Sequence, residues 1–144
     1  MRLVHEAATA AALAVLIAAC GTATPPSIAP MPSAPVDPGP AIDTDALMAS
    51  AAAKDGQPVH VTGFVLITDQ ARLCSVVLES YPPQCGGATV NLTGEFPADV
   101  VAALDKTTEP GLAQATWGWV DVTGTFTLAG GPTIRISGIR VDAP

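Results

Sequence analysis

The chain has 144 residues, room for one domain once targeting and linker segments are set aside. A net charge of -7 and a pI near 4.4 exclude long-range attraction to nucleic acid or to an anionic membrane surface, so no nucleic-acid partner is expected. Charged residues make up 13%, low for a soluble domain, and of the two histidines His5 lies in a segment expected to be removed. His60 alone is left for any histidine-based chemistry.

Arg2 opens a short basic region, and Ala7 to Ala19 forms a thirteen-residue apolar run, of signal-peptide length and too short to span a bilayer. Ile17-Ala18-Ala19-Cys20-Gly21 resembles the lipobox of bacterial lipoproteins: an aliphatic residue, two small residues, then cysteine. That resemblance implies a signal peptide over residues 1–19, diacylglyceryl transfer to the Cys20 sulfur, and cleavage before Cys20. Two or more acyl chains on Cys20 would anchor the protein stably, where a single chain binds marginally. The alternative is an ordinary secretory signal with a chance cysteine.

Residues 20–42 read as a flexible Pro/Ala-rich tether, since seven of the fourteen prolines fall between Gly21 and Ala41 and no hydrophobic period runs through them. Such a segment buries too little apolar surface to offset its ordering entropy and should be disordered, extended and partly polyproline II. A proline-rich ligand for a recognition domain is the sharper alternative.

Residues 43–144 form the expected folded domain. Asp43 to Ala53 reads as a short, lightly packed helix, with Asp43 or Thr44 as cap and Lys54 and Gly56 at its end. Val59 to Thr68 alternates strictly, which predicts a strand with a bulge or bend at Gly63. Thr68 to Ala71 is a tight turn, Arg72 to Glu79 a second strand and Ala88 to Thr93 a third. Pro97, Asp99 and Lys106 are ordered as a helix wants them, with Val100, Val101 and Leu104 as its apolar stripe. Trp117 to Leu128 is a long strand, and Thr133 to Val141 the last, with its phase changing at Gly138.

This mainly β order, with a helix between the third and fourth of five strands, resembles the five-stranded OB-fold, a Greek-key barrel; a β-sandwich is the alternative. Val59-His60-Val61-Thr62-Gly63 and Val120-Asp121-Val122-Thr123-Gly124 repeat one pattern, Val-x-Val-Thr-Gly, on the two strands that would close such a barrel.

With Cys20 lipidated, Cys74 and Cys85 remain as an even pair in an exported, oxidising setting, and a structural disulfide is the expectation. Ten intervening residues argue against a redox-active CxxC, and no further ligands stand nearby for a metal site. Leu73-Cys74-Ser75, Glu79-Ser80-Tyr81-Pro82-Pro83-Gln84-Cys85-Gly86-Gly87, the Gly63-Phe64-Val65-Leu66 strand and the lipobox together resemble small uncharacterised lipoproteins of high-GC Gram-positive bacteria. The resemblance implies the localisation and the disulfide; it brings no activity and no catalytic residues.

Candidate binding residues are few. His60 reads as a surface or partly packed histidine, or as a site residue. Trp117 and Trp119 share a strand face with Asp121, Thr123 and Thr125, an arrangement that can stack on a sugar, cap a hydrophobic partner, or lie packed under another segment. Tyr81 and Gln84 fall on the Glu79–Gly87 corner, stiffened by prolines, which would lower the entropic cost of binding. The carboxylates, Asp121 among them, read as a solvated acidic surface, and no catalytic residues, metal or cofactor are expected. The expectation is therefore a non-enzymatic lipoprotein, lipid-anchored on the extracytoplasmic face of the cell membrane, that binds an envelope protein, a small molecule or a glycan. The alternative is a structural accessory subunit of a cell-envelope complex.

Overall fold

The computed structural model describes residues 37–142; the expected signal peptide, Cys20 and the expected tether as far as residue 36 lie outside the described residues. In chain order the elements are β1 (Ile42–Asp43), α1 (Thr44–Ala49), α2 (Ala51–Lys54), β2 (Pro58–Ile67), β3 (Ala71–Leu78), β4 (Gln84–Thr93), α3 (Ala98–Ala103), β5 (Asp105–Lys106), β6 (Thr116–Thr127) and β7 (Thr133–Val141).

The protein is mainly β. Seven strands form one mixed sheet in the order β1-β2-β3-β4-β7-β6-β5, with three short helices, so the expected count of five strands is corrected to seven. The five expected strands are β2, β3, β4, β6 and β7; the two-residue β1 and β5 are too short to carry a period. Antiparallel pairs join β2 to β3, β3 to β4 and β6 to β7, while β4 and β7 run parallel over Asn91–Thr93 and Thr133–Arg135. β6 also pairs antiparallel with the whole of β2, from Pro58 opposite Thr125 to Ile67 opposite Thr116. Ile42, expected as the last tether residue, pairs in parallel with Val61.

Period-two alternation sends one face of each long strand inward. Val59, Val61 and Val65 of β2, Leu73 of β3, Val90 of β4, Val120, Val122 and Phe126 of β6 and Ile134 of β7 are each 0–1% exposed and form the core. Fully burying such side chains stabilises by about 1.5–3 kcal/mol each. α1 is not lightly packed, as its alanines suggested: Leu47 is fully buried within that core. Asp43 caps α1 by accepting from the Ala46 N–H at 2.7 Å. The expected single helix breaks at Ser50, whose hydroxyl donates to the Ala46 carbonyl at 2.8 Å and competes with the helical ladder.

Two further expectations change and one holds. Gly63 makes no bulge, because the β2–β6 register runs unbroken through it. A bulge does lie beside Gly138: Thr123 opposes Gly138 and Gly124 opposes Ile136, leaving Ser137 over, and a second register shift separates Cys74 from Val76 against β4. The helix expected to reach Lys106 stops at Ala103, since Leu104 turns extended to bury its side chain and Lys106 pairs with Thr116 in β5.

Candidate functional site

The face of β2 and β6 turned from the core carries the chemistry. Register sets His60 opposite Thr123, Thr62 opposite Asp121, Phe64 opposite Trp119 and Leu66 opposite Trp117. One end of this ladder is polar and the other aromatic.

At the polar end Asp121 is the hub, and its side chain is only 13% exposed. Thr62 Oγ1 donates to its Oδ1 at 2.6 Å, and Arg140 on β7 donates to Oδ2 from Nε at 2.9 Å and Nη2 at 2.6 Å. His60 Nε2 lies 3.6 Å from Oδ1. The Thr62 bond foremost, then the Arg140 bonds and the Arg140 and His60 charges, hold the Asp121 carboxyl below the usual carboxylate range against the opposing effect of burial. Asp121 is thus no part of a solvated acidic surface. A cavity of about 220 Å³ opens beside it, lined by His60, Thr123, Ile139 and Arg140.

At the aromatic end Trp119 is 53% exposed and meets Phe64 edge to face, with ring centroids 5.8 Å apart. Trp117 is half-buried and meets Tyr81 at 5.9 Å and 89°. The two tryptophans therefore divide: Trp119 is presented to solvent, and Trp117 supports the corner.

Cys74 and Cys85 are disulfide-bonded, Cα to Cα 5.3 Å, and tie β3 to the start of β4. Tyr81 is exposed at its ring, but its hydroxyl is engaged, accepting from the Thr108 N–H at 3.1 Å and lying 3.1 Å from Thr108 Oγ1. Gln84 is exposed at the start of β4, opposite Leu78. The corner's residues do not converge with His60: Tyr81 joins the Trp117 end of the ladder, and His60 the far end. Cys20 lies outside the described residues.

Sequence reasoning missed Thr62, Asp121 and Arg140 as a cluster and Phe64 as the support of Trp119. The signal was available in the repeated Val-x-Val-Thr-Gly: laid antiparallel on its own copy, it sets Thr62 against Asp121. Arg140 had no such signal, because the bulge at Ser137 decides which β7 side chain reaches Asp121. Among the described residues no three His, Cys, Asp or Glu side chains gather as a metal site. The arrangement suits binding, with a supported, exposed indole beside groups that hydrogen-bond.

Compared with protein-family models, with curated proteins and with solved structures, the chain matches none.

Proposed function

We propose that the chain is a lipoprotein, anchored through acylated Cys20 on the extracytoplasmic face of the cell membrane, whose domain is a small non-enzymatic binding module. The observation that carries the binding reading is Trp119, a large aromatic left 53% exposed on a ladder otherwise packed or paired. Exposed aromatic surface beside polar groups is what recognition sites use. We read the domain as an OB-like Greek-key barrel. The pairings β2–β3, β3–β4, β4–β7, β7–β6 and β6–β2 return to their starting strand, with α3 between β4 and β6, which supports that reading. The lipobox and the proline-rich segment support the address.

The non-enzymatic reading is supported by the state of Asp121. Both its oxygens accept hydrogen bonds and its carboxyl is held acidic, which makes it a poor general base beside His60. The accessory-subunit reading is favoured by the exposed apolar side chains Val76, Leu78, Tyr81 and Trp119, which could anchor a protein partner.

In-cell crosslinking of the full lipoprotein and its Trp119→Ala variant tests the module. A specific adduct should be lost in the variant; identical adducts in both overturn the reading. Cys20→Ala should move the protein out of the membrane fraction, and retention there overturns the anchor. Turnover of an envelope substrate that disappears with His60→Ala or Asp121→Asn overturns the non-enzymatic assignment.

A further inference from the structure

A second cavity, of about 210 Å³, lies where α1, β2, β3 and β6 meet. Its walls include Thr44 and Asp45 at the start of α1, Thr62 and Gly63 on β2, Ser75 on β3 and the exposed Trp119 on β6. One wall residue is anomalous. Thr44 is 1% exposed, and its Oγ1 has no hydrogen-bond partner. Buried hydroxyls are nearly always paired, so an orphan calls for an explanation. The absence of a side chain at Gly63 makes room for it: a Cβ there would lie 2.8 Å from Thr44 Oγ1.

The other polar groups retain bonding capacity. Ser75 Oγ accepts from the Ala88 N–H at 2.9 Å and keeps its own proton to donate. Thr62 Oγ1 donates to Asp121 and keeps its lone pairs. The Asp45 carboxylate, exposed at the rim, only accepts. Thr44 Oγ1 can do both. The Trp119 indole, held by its edge-to-face contact with Phe64, supplies a rigid apolar wall.

We infer that this cavity binds one ring of a neutral saccharide. The inference rests on the binding-module reading and names its ligand class. A sugar hydroxyl both donates and accepts, matching a wall that offers free protons at Ser75 and Thr44 and free lone pairs at Thr62 and Asp45. The C–H face of the ring suits the indole. A quaternary ammonium could sit on the indole but has no donor for Thr62 or acceptor for Thr44 and Ser75. An anion would meet Asp45 and a chain of net charge -7. The volume falls below the range of about 300–1,000 Å³ typical of drug-sized ligands, so the site takes a single unit and leaves the rest of a glycan outside.

Tryptophan fluorescence titration of the full chain in detergent tests this. The neutral probes are chitotetraose, maltotetraose and mannotetraose, with tetragalacturonate and tetramethylammonium as charged controls. At least one neutral probe should saturate, and Trp119→Ala should abolish its binding heat in titration calorimetry, a readout that does not depend on the indole. Thr44→Val should weaken binding at least tenfold while the thermal midpoint holds or rises, because it removes an orphaned polar atom. Thr44→Ser keeps the hydroxyl and should bind within about twofold of wild type, which guards against a folding defect in the valine variant. If no neutral probe saturates, or if Thr44→Val binds as wild type does, the inference falls. Trp119-dependent crosslinks in cells that persist despite this failure leave the binding module standing with another ligand; loss of both removes the two readings together.

Discussion

Val59-His60-Val61-Thr62-Gly63 on β2 and Val120-Asp121-Val122-Thr123-Gly124 on β6 carry one pattern in two different surroundings. Antiparallel register lays them on each other, Val61 against Val122, with the first valine of each opposite the glycine of the other. Their valines behave alike, all 0–1% exposed. Their glycines do not. At Gly124 a Cβ would run into the Arg135 carbonyl and the Ile134 side chain on β7, whereas at Gly63 it would meet the Thr44 hydroxyl at 2.8 Å and Leu73 at 3.4 Å. Both glycines permit close approach, one of backbone and one of side chain, and the β2–β6 register runs unbroken through both, whereas the β6–β7 register shifts at Gly124. A shared pattern therefore reports crowding without saying what crowds.

The difference has a measurable consequence. Gly124→Ala forces β7 backbone away and should destabilise by more than about 3 kcal/mol in urea melts, above the usual overpacking range. Gly63→Ala meets side chains that can adjust and should cost about 1–2 kcal/mol. Equal losses would mean that the two sites are crowded alike.

The neighbours of the two segments also differ. β2 is flanked by β3, which the disulfide ties to β4, while β6 is flanked by β7 with no such tie. Replacing Cys74 and Cys85 together by serine should cost about 3 kcal/mol through loop-closure entropy. Amide exchange should rise in β3 and β4 more than in β6 and β7; a uniform rise would show that the bridge supports the whole sheet.

These contrasts explain what was legible beforehand. The strands around Val59–Val65 and Val120–Phe126 announce themselves by alternation, since burial on one face imposes period two. The cysteine pairing followed from counting and from the oxidising setting that the sequence led us to expect. Features set by tertiary partners stayed hidden. Leu47 sits in an alanine-rich helix whose composition says nothing of the core it enters, and Asp121 reads like any surface carboxylate until Thr62 and Arg140 are brought to it. Tyr81 and Trp119 illustrate both sides: the sequence marked each as a candidate, and only the fold engages the hydroxyl of one and exposes the ring of the other.

Between the two patterns, the variable second positions are His60 and Asp121, and Asp121 carries the polar network. Asp121→Asn should destabilise by about 1 kcal/mol at neutral pH, a modest figure because Arg140 is 72% exposed and its pairing is screened. The carboxyl is more acidic folded than unfolded, so its contribution is complete above the unfolded value of about 3.9 and is lost as pH falls through the lower folded value. Denaturant melts of wild type and variant should therefore converge below about pH 4. A constant gap down to pH 2 would mean that the loss is steric.

The smallest expected effect concerns the clasp at the aromatic end. Tyr81 holds the corner by two separable means, its ring against Trp117 and its hydroxyl against Thr108. Tyr81→Phe keeps the ring contact and removes the hydroxyl that accepts the Thr108 N–H. Because Thr108 is exposed, water replaces that bond, and the loss should be about 0.5 kcal/mol. Tyr81→Ala removes the edge-to-face contact as well, worth about 0.5–1.5 kcal/mol in such pairs, and should also shift Trp117 emission towards that of a solvated indole. If phenylalanine costs as much as alanine, the hydroxyl holds the corner; if phenylalanine is silent and alanine is not, the ring does, and the Thr108 bond only orients it.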